Sequence, residues 1–407
     1  MKSRILAIGA ATALAIGLSA CATNGAGSDA SSDEKPFRIV YVGGITGNLA
    51  SVAKVELAAI DLALAKVNAD GGIDGRKVTV ESLDDKSDPT EAVSVLQKRL
   101  SEGNPPDLIR AGTSSPEALA LVPVANRAGI PTVSSAASDL LDDPTSYPLH
   151  KSVTPGFNPA IELIKDYLVD KKAKTLVMMV PEDASGDSVL AGAEKLFAKS
   201  GITIKEARYN LADLDLSVAF QRAIEGTPDA IYVNCIGAAC ARVVQARGSV
   251  AEGVDIPMFG DSSMTSAPGG LAAGVDPALI KNLYGVGYRV QVDEPKLQAD
   301  ATAGFLASLD KKVGVPPVIT SASVAYDCVL LWAQGAKKAG TTDPKAVIKA
   351  IDSTKWPRGS LISFGDVPVT WEADRTFVTL PKDALVLFAI SPQVNGLYPP
   401  KELYTAK

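Results

Sequence analysis

Two Gly-Asp-Ser triplets, Gly186-Asp187-Ser188 and Gly260-Asp261-Ser262, hold the serines best placed by context to act as nucleophiles. A serine nucleophile needs a base to take its proton, most often a histidine. The chain has one histidine, His150, and it precedes both triplets, so the expected order of such a triad is missing. One histidine and four cysteines supply neither an HExxH pair nor a three-histidine zinc set, and Cys235 with Cys240 alone makes no metal site. There is no GxxxxGK[ST] loop, no GxGxxG after a strand and no GxSxG elbow. The residues point to binding rather than catalysis, with no metal and no cofactor. The clearest binding candidate is Gly112-Thr113-Ser114-Ser115-Pro116-Glu117. Ser115 stands where a helix N-cap belongs and Pro116 at the first helical position. Hydroxyls and free N–H groups there could hold a carboxylate, helped by the helix dipole, or could simply cap the helix. Ser134-Ser135-Ala136-Ala137-Ser138 is a second polar strand end, expected as the neighbouring loop on the same sheet edge.

The elements that must position these loops alternate. FRIVYVG (37–43) is a strand-like run. Val52, Val55, Ala59, Ile60, Ala63, Leu64 and Val67 then form one helical stripe over 51–68, stopped at Asp70-Gly71-Gly72. A strand over 77–83, a helix opened by Asp88-Pro89, a strand over 107–112, a helix from Pro116 and a strand over 130–135 follow. The pattern restarts after 155, with strands over 175–180, 202–209, 229–234, 256–260 and 282–288 and a helix over 188–200. Helices over 295–312, 321–339 and 344–352, a hairpin over 361–372 and a last strand over 384–391 close the chain. Strands alternating with helices predict parallel sheets covered on both faces, here as two doubly wound lobes.

Composition narrows the partners. A chain of 407 residues with 46% hydrophobic content can bury a core in each of two domains. A net charge of −6 without a basic run argues against nucleic acid, whose binding rests on phosphate neutralisation. Lys2 and Arg4 precede an uncharged run, Ile5–Leu18, shorter than the roughly 20 residues a spanning helix takes. It ends in Leu18-Ser19-Ala20-Cys21, which reads as a secretion signal. Residues 21–36 lack large apolar side chains and read as a flexible tether. Outside the cytoplasm disulfides persist. Cys235 and Cys240 could meet across a strand-to-helix junction but not along one continuous helix, and Cys328 reads as a buried free thiol.

Several stretches carry resemblances. Leu18–Cys21 resembles a bacterial lipobox, which implies cleavage before Cys21, lipidation of its thiol and an extracytoplasmic, membrane-anchored body. The Gly-Asp-Ser triplets resemble the nucleophile block of GDSL-type esterases. IVYVGGITG (39–47), VNADGGIDGRKV (67–78), DDKSDPTEAV (84–93), GTSSPEALALVPVANRAGIPTVSSAAS (112–138) and SVAYDCVLLWAQGAKKAG (323–340) resemble, in order and spacing, the type I solute-binding proteins of ABC importers, leucine/isoleucine/valine group. That family implies an α/β fold of two doubly wound, Rossmann-like lobes joined by three crossovers, with ligand trapped in the cleft between them. It implies residues 37–152 with 290–364 as lobe one and 153–289 with 365–407 as lobe two. It also implies a small-molecule ligand, a permease and ATPase as partners, a membrane contact through the lipid anchor, and a monomer.

Carried over by position, Ser115, with Ser114 beside it, matches the serine that grips a ligand carboxylate. Ala136 and Ser138 match the positions that hold an α-amino acid head group. Lobe two departs from the family pattern. Ser185 stands where a tyrosine precedes a glycine, Val52 (in lobe one) where a cleft tryptophan is found, and a second tyrosine position falls at Cys235 or Ile236. The acid that would pair with a ligand ammonium aligns with Ser262, with Asp261 one residue away. The departures imply an amino acid, or a related carboxylate or amide, of different shape from leucine. A ligand-sensing lipoprotein and a GDSL-like esterase are the alternatives.

Overall fold

The computed structural model describes residues 35–250, 252–265, 276–314 and 319–406. The expected signal segment 1–20, Cys21 and most of the expected tether lie outside the described residues. The first sheet has the order β2-β1-β3-β4-β5 and is parallel throughout. Its strands are β1 (Phe37–Gly43), β2 (Val78–Asp84), β3 (Leu108–Ala111), β4 (Thr132–Ser134) and β5 (His150–Ser152). Connecting them are α1 (Ala50–Ala69), α2 (Pro89–Ser101) and α3 (Ser115–Arg127). β1 is buried along nearly its whole length, as a strand covered on both faces must be. Every residue of the expected α1 stripe is buried. β5 was not anticipated, because His-Lys-Ser lacks the β-branched and aromatic residues that mark strands.

The second sheet begins with β6 (Thr175–Pro181), β7 (Thr203–Tyr209), β8 (Ala230–Val233), β9 (Met258–Gly260) and β10 (Leu283–Tyr288). Its helices are α4 (Asn158–Asp170), α5 (Ala184–Phe197), α6 (Ser217–Ala223), α7 (Ala238–Gly248) and α8 (Ser262–Thr265). α5 starts four residues before the expected 188. The Asp183 carboxylate caps it by accepting from the N–H groups of Ser185 and Gly186 at 2.8 and 3.0 Å. Gly186 is required there, since a Cβ would stand 2.1 Å from the Pro181 carbonyl oxygen.

Beyond β10 the chain forms α9 (Thr302–Val313), α10 (Ile319–Ala339) and α11 (Pro344–Asp352), with α10 packed against α1. The helix expected from 295 begins only at Thr302, after a single 3₁₀ turn over Pro295–Leu297. The hairpin expected over 361–372 is replaced by a small antiparallel sheet of β11 (Lys355–Trp356), β12 (Val369–Trp371) and β13 (Val378–Thr379). The reason is a long-range contact: the buried Asp327 carboxylate accepts from the N–H groups of Ile362 and Ser363 at 3.0 and 2.8 Å, which removes both donors from any ladder. β14 (Leu385–Ala389) then joins the second sheet, antiparallel to β10, giving the order β14-β10-β9-β8-β6-β7.

The chain passes between the sheets after β5, after β10 and between β13 and β14. The last passage falls later than the expected 364/365 boundary, because residues 371–377 are tied to the first sheet. Phe377 bridges Ser152, the Trp371 indole donates to the Ser152 carbonyl at 3.0 Å, and Arg375 pairs with Asp142 at 2.6 Å. The fold is thus two doubly wound α/β lobes joined by three crossovers.

Candidate functional site

Parallel strands all present their carboxyl ends on one edge, and the loops leaving those ends converge. In the first sheet these are the segments after β3 and β4; in the second, the segments after β6, β8 and β9. Between them lies a cleft of about 460 Å³.

The β3–α3 loop is the most constrained part of the first wall. Gly112 has φ +72°, a left-handed conformation in which a Cβ would also stand 2.7 Å from the Ala118 amide nitrogen. Ser114, not Ser115, is the N-cap of α3, and Ser115 is the first helical residue. The expected cap shifts by one because Glu117 reaches back: its Oε2 accepts the N–H groups of Thr113 at 2.6 Å and Ser114 at 3.0 Å. Burial, and then the nearby charge of Asp85, push the Glu117 carboxyl up to about 8. Ser115 is freed from capping. Its Oγ accepts the Ala137 N–H at 3.1 Å, joining the two loops of this wall.

Beneath the loop sits a buried ion pair. Arg110 on β3 donates through Nη2 to Glu56 Oε1 at 2.9 Å and to Ser135 Oγ at 2.8 Å, and through Nη1 to the Gly112 carbonyl. The Tyr41 hydroxyl donates to Glu56 Oε2 at 2.9 Å and lies 3.1 Å from Thr113 Oγ1. Arg110 and Glu56 are each about 1% exposed. His150 belongs to the same sheet, with Nδ1 2.9 Å from Thr132 Oγ1 and Nε2 3.4 Å from Ser134 Oγ. Burial pulls the imidazole down to about 3. Its partners are therefore not the serines of the two triplets; Ser188 Oγ instead accepts the Asp139 N–H at 3.0 Å.

The second wall carries a different set. Asp261, directly after β9, accepts from the Tyr232 hydroxyl at 2.8 Å, the Asn234 amide at 3.1 Å and the Ser263 N–H at 2.8 Å. Burial raises its carboxyl above the ordinary range while those donors oppose the rise. Ser185 Oγ donates to Asn234 Oδ1 at 3.1 Å.

Of the expected residues, Val52, Ser114, Ser115, Ser185, Cys235, Ile236, Asp261 and Ser262 line the cleft together. Ala136 and Ser138 are buried behind it and Ala137 faces it instead; the Ala136 N–H donates to Ser134 Oγ at 3.2 Å and its carbonyl accepts from the Ser152 and Thr154 hydroxyls. Thr113, from the expected 112–117 loop, lines it as well, and Asn234, Arg242 and Tyr288 also line the cleft and were not anticipated. Asn234, a polar residue ending an apolar strand run, carried a readable signal. Arg242, inside a helix, carried none. Phe157 and Tyr288 are the aromatic side chains of the lining, so the wall is poor in rings.

Cys235 and Cys240 are disulfide-bonded, with Cα atoms 5.1 Å apart, and Cys328 is a buried free thiol. The bridge closes the β8–α7 loop, where Gly237 adopts φ +57° beside Asn48 and Leu49 of the other lobe. Closing so short a loop is worth about 2 kcal/mol by chain entropy. The Cys235→Ser/Cys240→Ser variant is expected to melt roughly 3 °C lower. Dithiothreitol should lower the parent to the same value and leave the variant unmoved; equal melting of parent and variant would mean that the bridge contributes nothing.

A family model described as periplasmic binding protein matches residues 36–378. A Leu/Ile/Val-binding protein of Citrobacter freundii is 33% identical over 69 residues, 17% of this chain and 19% of that protein. The matched region thus spans about a fifth of that curated relative's length. The solute-binding protein of an ABC transporter from Rhodopseudomonas palustris BisB5, solved with 3,4-dihydroxybenzoic acid, superposes with TM-score 0.75 at 21% identity, covering 92% of this chain and 98% of that one. The branched-chain amino acid transporter substrate-binding protein LivJ of Streptococcus pneumoniae, solved with isoleucine, gives TM-score 0.70 at 24% identity, covering 91% and 100%.

Proposed function

Because the chain belongs to the periplasmic binding protein family, we propose that it is the capture component of an ABC importer, holding a small carboxylate-bearing metabolite between its lobes. The ligand is an amino acid or a related carboxylate or amide. The observation that carries this reading is the β3–α3 loop, where Thr113, Ser114 and Ser115 open into the cleft at the start of α3. The loop hydroxyls and the Ser115 N–H suit a carboxylate, the N–H groups of Thr113 and Ser114 being held by Glu117, and the dipole favours negative charge there. The cleft volume lies within the range of small-molecule sites. Two ring-bearing side chains in the lining give little surface for stacking a sugar. Both structural neighbours named above were solved with carboxylates, one bearing an ammonium and one without.

The importer's permease and ATPase are the partners in this reading. The Leu18-Ser19-Ala20-Cys21 stretch supports a lipid anchor at Cys21, with residues 22–36 as tether and the body outside the cytoplasm. The body acts as a monomer that closes on its ligand.

Differential scanning fluorimetry against amino acids, amides and organic acids tests the reading. Ligand at about 100 times its Kd stabilises the native state by about 2.7 kcal/mol, so the melting temperature should rise by several degrees for one chemical class. No shift from any compound in such a set would defeat it.

A further inference from the structure

The second wall of the cleft holds an arginine with no close ion pair among the described residues. Arg242 is the sole basic residue in the described lining, and it forms no ion pair among the described residues. Its Nη2 donates to the Leu211 carbonyl at 2.9 Å, while its Nε is buried with no hydrogen-bond partner. The two carboxylates that share this wall, Asp183 and Asp261, stand apart from Arg242. Asp183 caps α5 through Oδ1, the oxygens of Asp261 accept from Tyr232, Asn234 and Ser263, and neither carboxylate pairs with Arg242. An arginine facing a cleft without a protein counter-ion has its charge answered by what enters the cleft.

We propose that Arg242 reads an anionic group at the lobe-two end of the ligand, so that the preferred ligands are small dianions, dicarboxylates above all. One carboxylate sits at the Thr113–Ser115 loop and the other at Arg242. An ammonium group is not needed on this wall, since Asp261 already has three donors. The inference rests on the capture reading above and narrows it to one substrate class.

Isothermal titration of the parent, Arg242→Gln and Arg242→Lys with matched pairs tests it: butyrate against succinate, valerate against glutarate, and leucine against glutamate. A charge-assisted hydrogen-bond pair gained or lost corresponds to about a 10- to 100-fold change in Kd. The parent is expected to prefer the dianion of a pair by that factor. Arg242→Gln should erase the preference by weakening the dianion, and Arg242→Lys should retain part of it. Melting curves without ligand check that each variant folds; should Arg242→Gln not fold, the partial loss in Arg242→Lys carries the test. Equal binding of both members of every pair, or a preference that survives Arg242→Gln, overturns this inference alone. Binding of no compound in either series also overturns this inference, and the wider thermal-shift set above then decides the capture reading.

Discussion

Replacing Arg110 by methionine is expected to lower the unfolding free energy by about 3–5 kcal/mol, the usual result of stripping one partner from a buried ion pair. Lost with it are the contacts to Glu56, to Ser135 and to the Gly112 carbonyl, so the β3–α3 loop loses its support from below. The melting temperature should fall by roughly 5 °C. The loss also depends on pH, with a definite sign. Burial raises the Glu56 carboxyl and the Arg110 charge opposes that rise, so removing Arg110 raises it further. A carboxyl whose folded value lies above its unfolded one keeps a proton that the unfolded chain releases. Its contribution is therefore fully present below the ordinary carboxylate range and is lost as pH rises through the folded value. Arg110→Met should consequently be less damaging at pH 5 than at pH 8. Adding Glu56→Leu should recover much of the stability, because no unpaired charge then remains buried. A loss equal at both pH values, with no recovery in the double variant, would show that packing rather than the ion pair supports the loop.

Ser115→Ala is expected to weaken ligand binding by about 10- to 100-fold while changing the ligand-free melting temperature by only a few degrees. The side chain faces the cleft and its Oγ accepts the Ala137 N–H. Removing it costs the fold one hydrogen bond, worth about 1 kcal/mol. It costs the complex more, since a ligand carboxylate loses a hydroxyl donor and the two loops that flank it lose their link. Titration calorimetry on parent and variant, with scanning fluorimetry on both, separates the two effects. An unchanged Kd would remove Ser115 from the site and leave its contact with Ala137 as its whole role.

The parts of this architecture that were legible in the sequence are those where one local pattern admits one answer. FRIVYVG and the stripe from Val52 to Val67 are of this kind, and both elements lie within a residue or two of their expected limits. Ambiguity entered where two neighbours suit one role. Ser114 and Ser115 both fit an N-cap; the deciding signal was Glu117, three residues after Ser114 in capping-box spacing. Asp183 offers a similar signal for the start of α5, which the apolar periodicity from Val189 does not register. What the chain does not announce are its long-range polar contacts. Glu56 stands inside the α1 stripe and Arg110 inside an apolar strand, and neither position reveals the other. Asp327 likewise holds Ile362 and Ser363 across the chain, which is why the hairpin was expected where none forms. Arg242 was invisible for a related reason. Its significance lies in having no carboxylate partner, which only the folded arrangement can show.

Native mass spectrometry of the whole protein, incubated with the carboxylate that most raises its melting temperature, tests the central claim most directly. The account predicts one ligand per chain, recovered chemically unchanged, with the adduct strongly reduced in Ser115→Ala. A protein that takes up no carboxylate, or that returns the compound chemically altered, would contradict it.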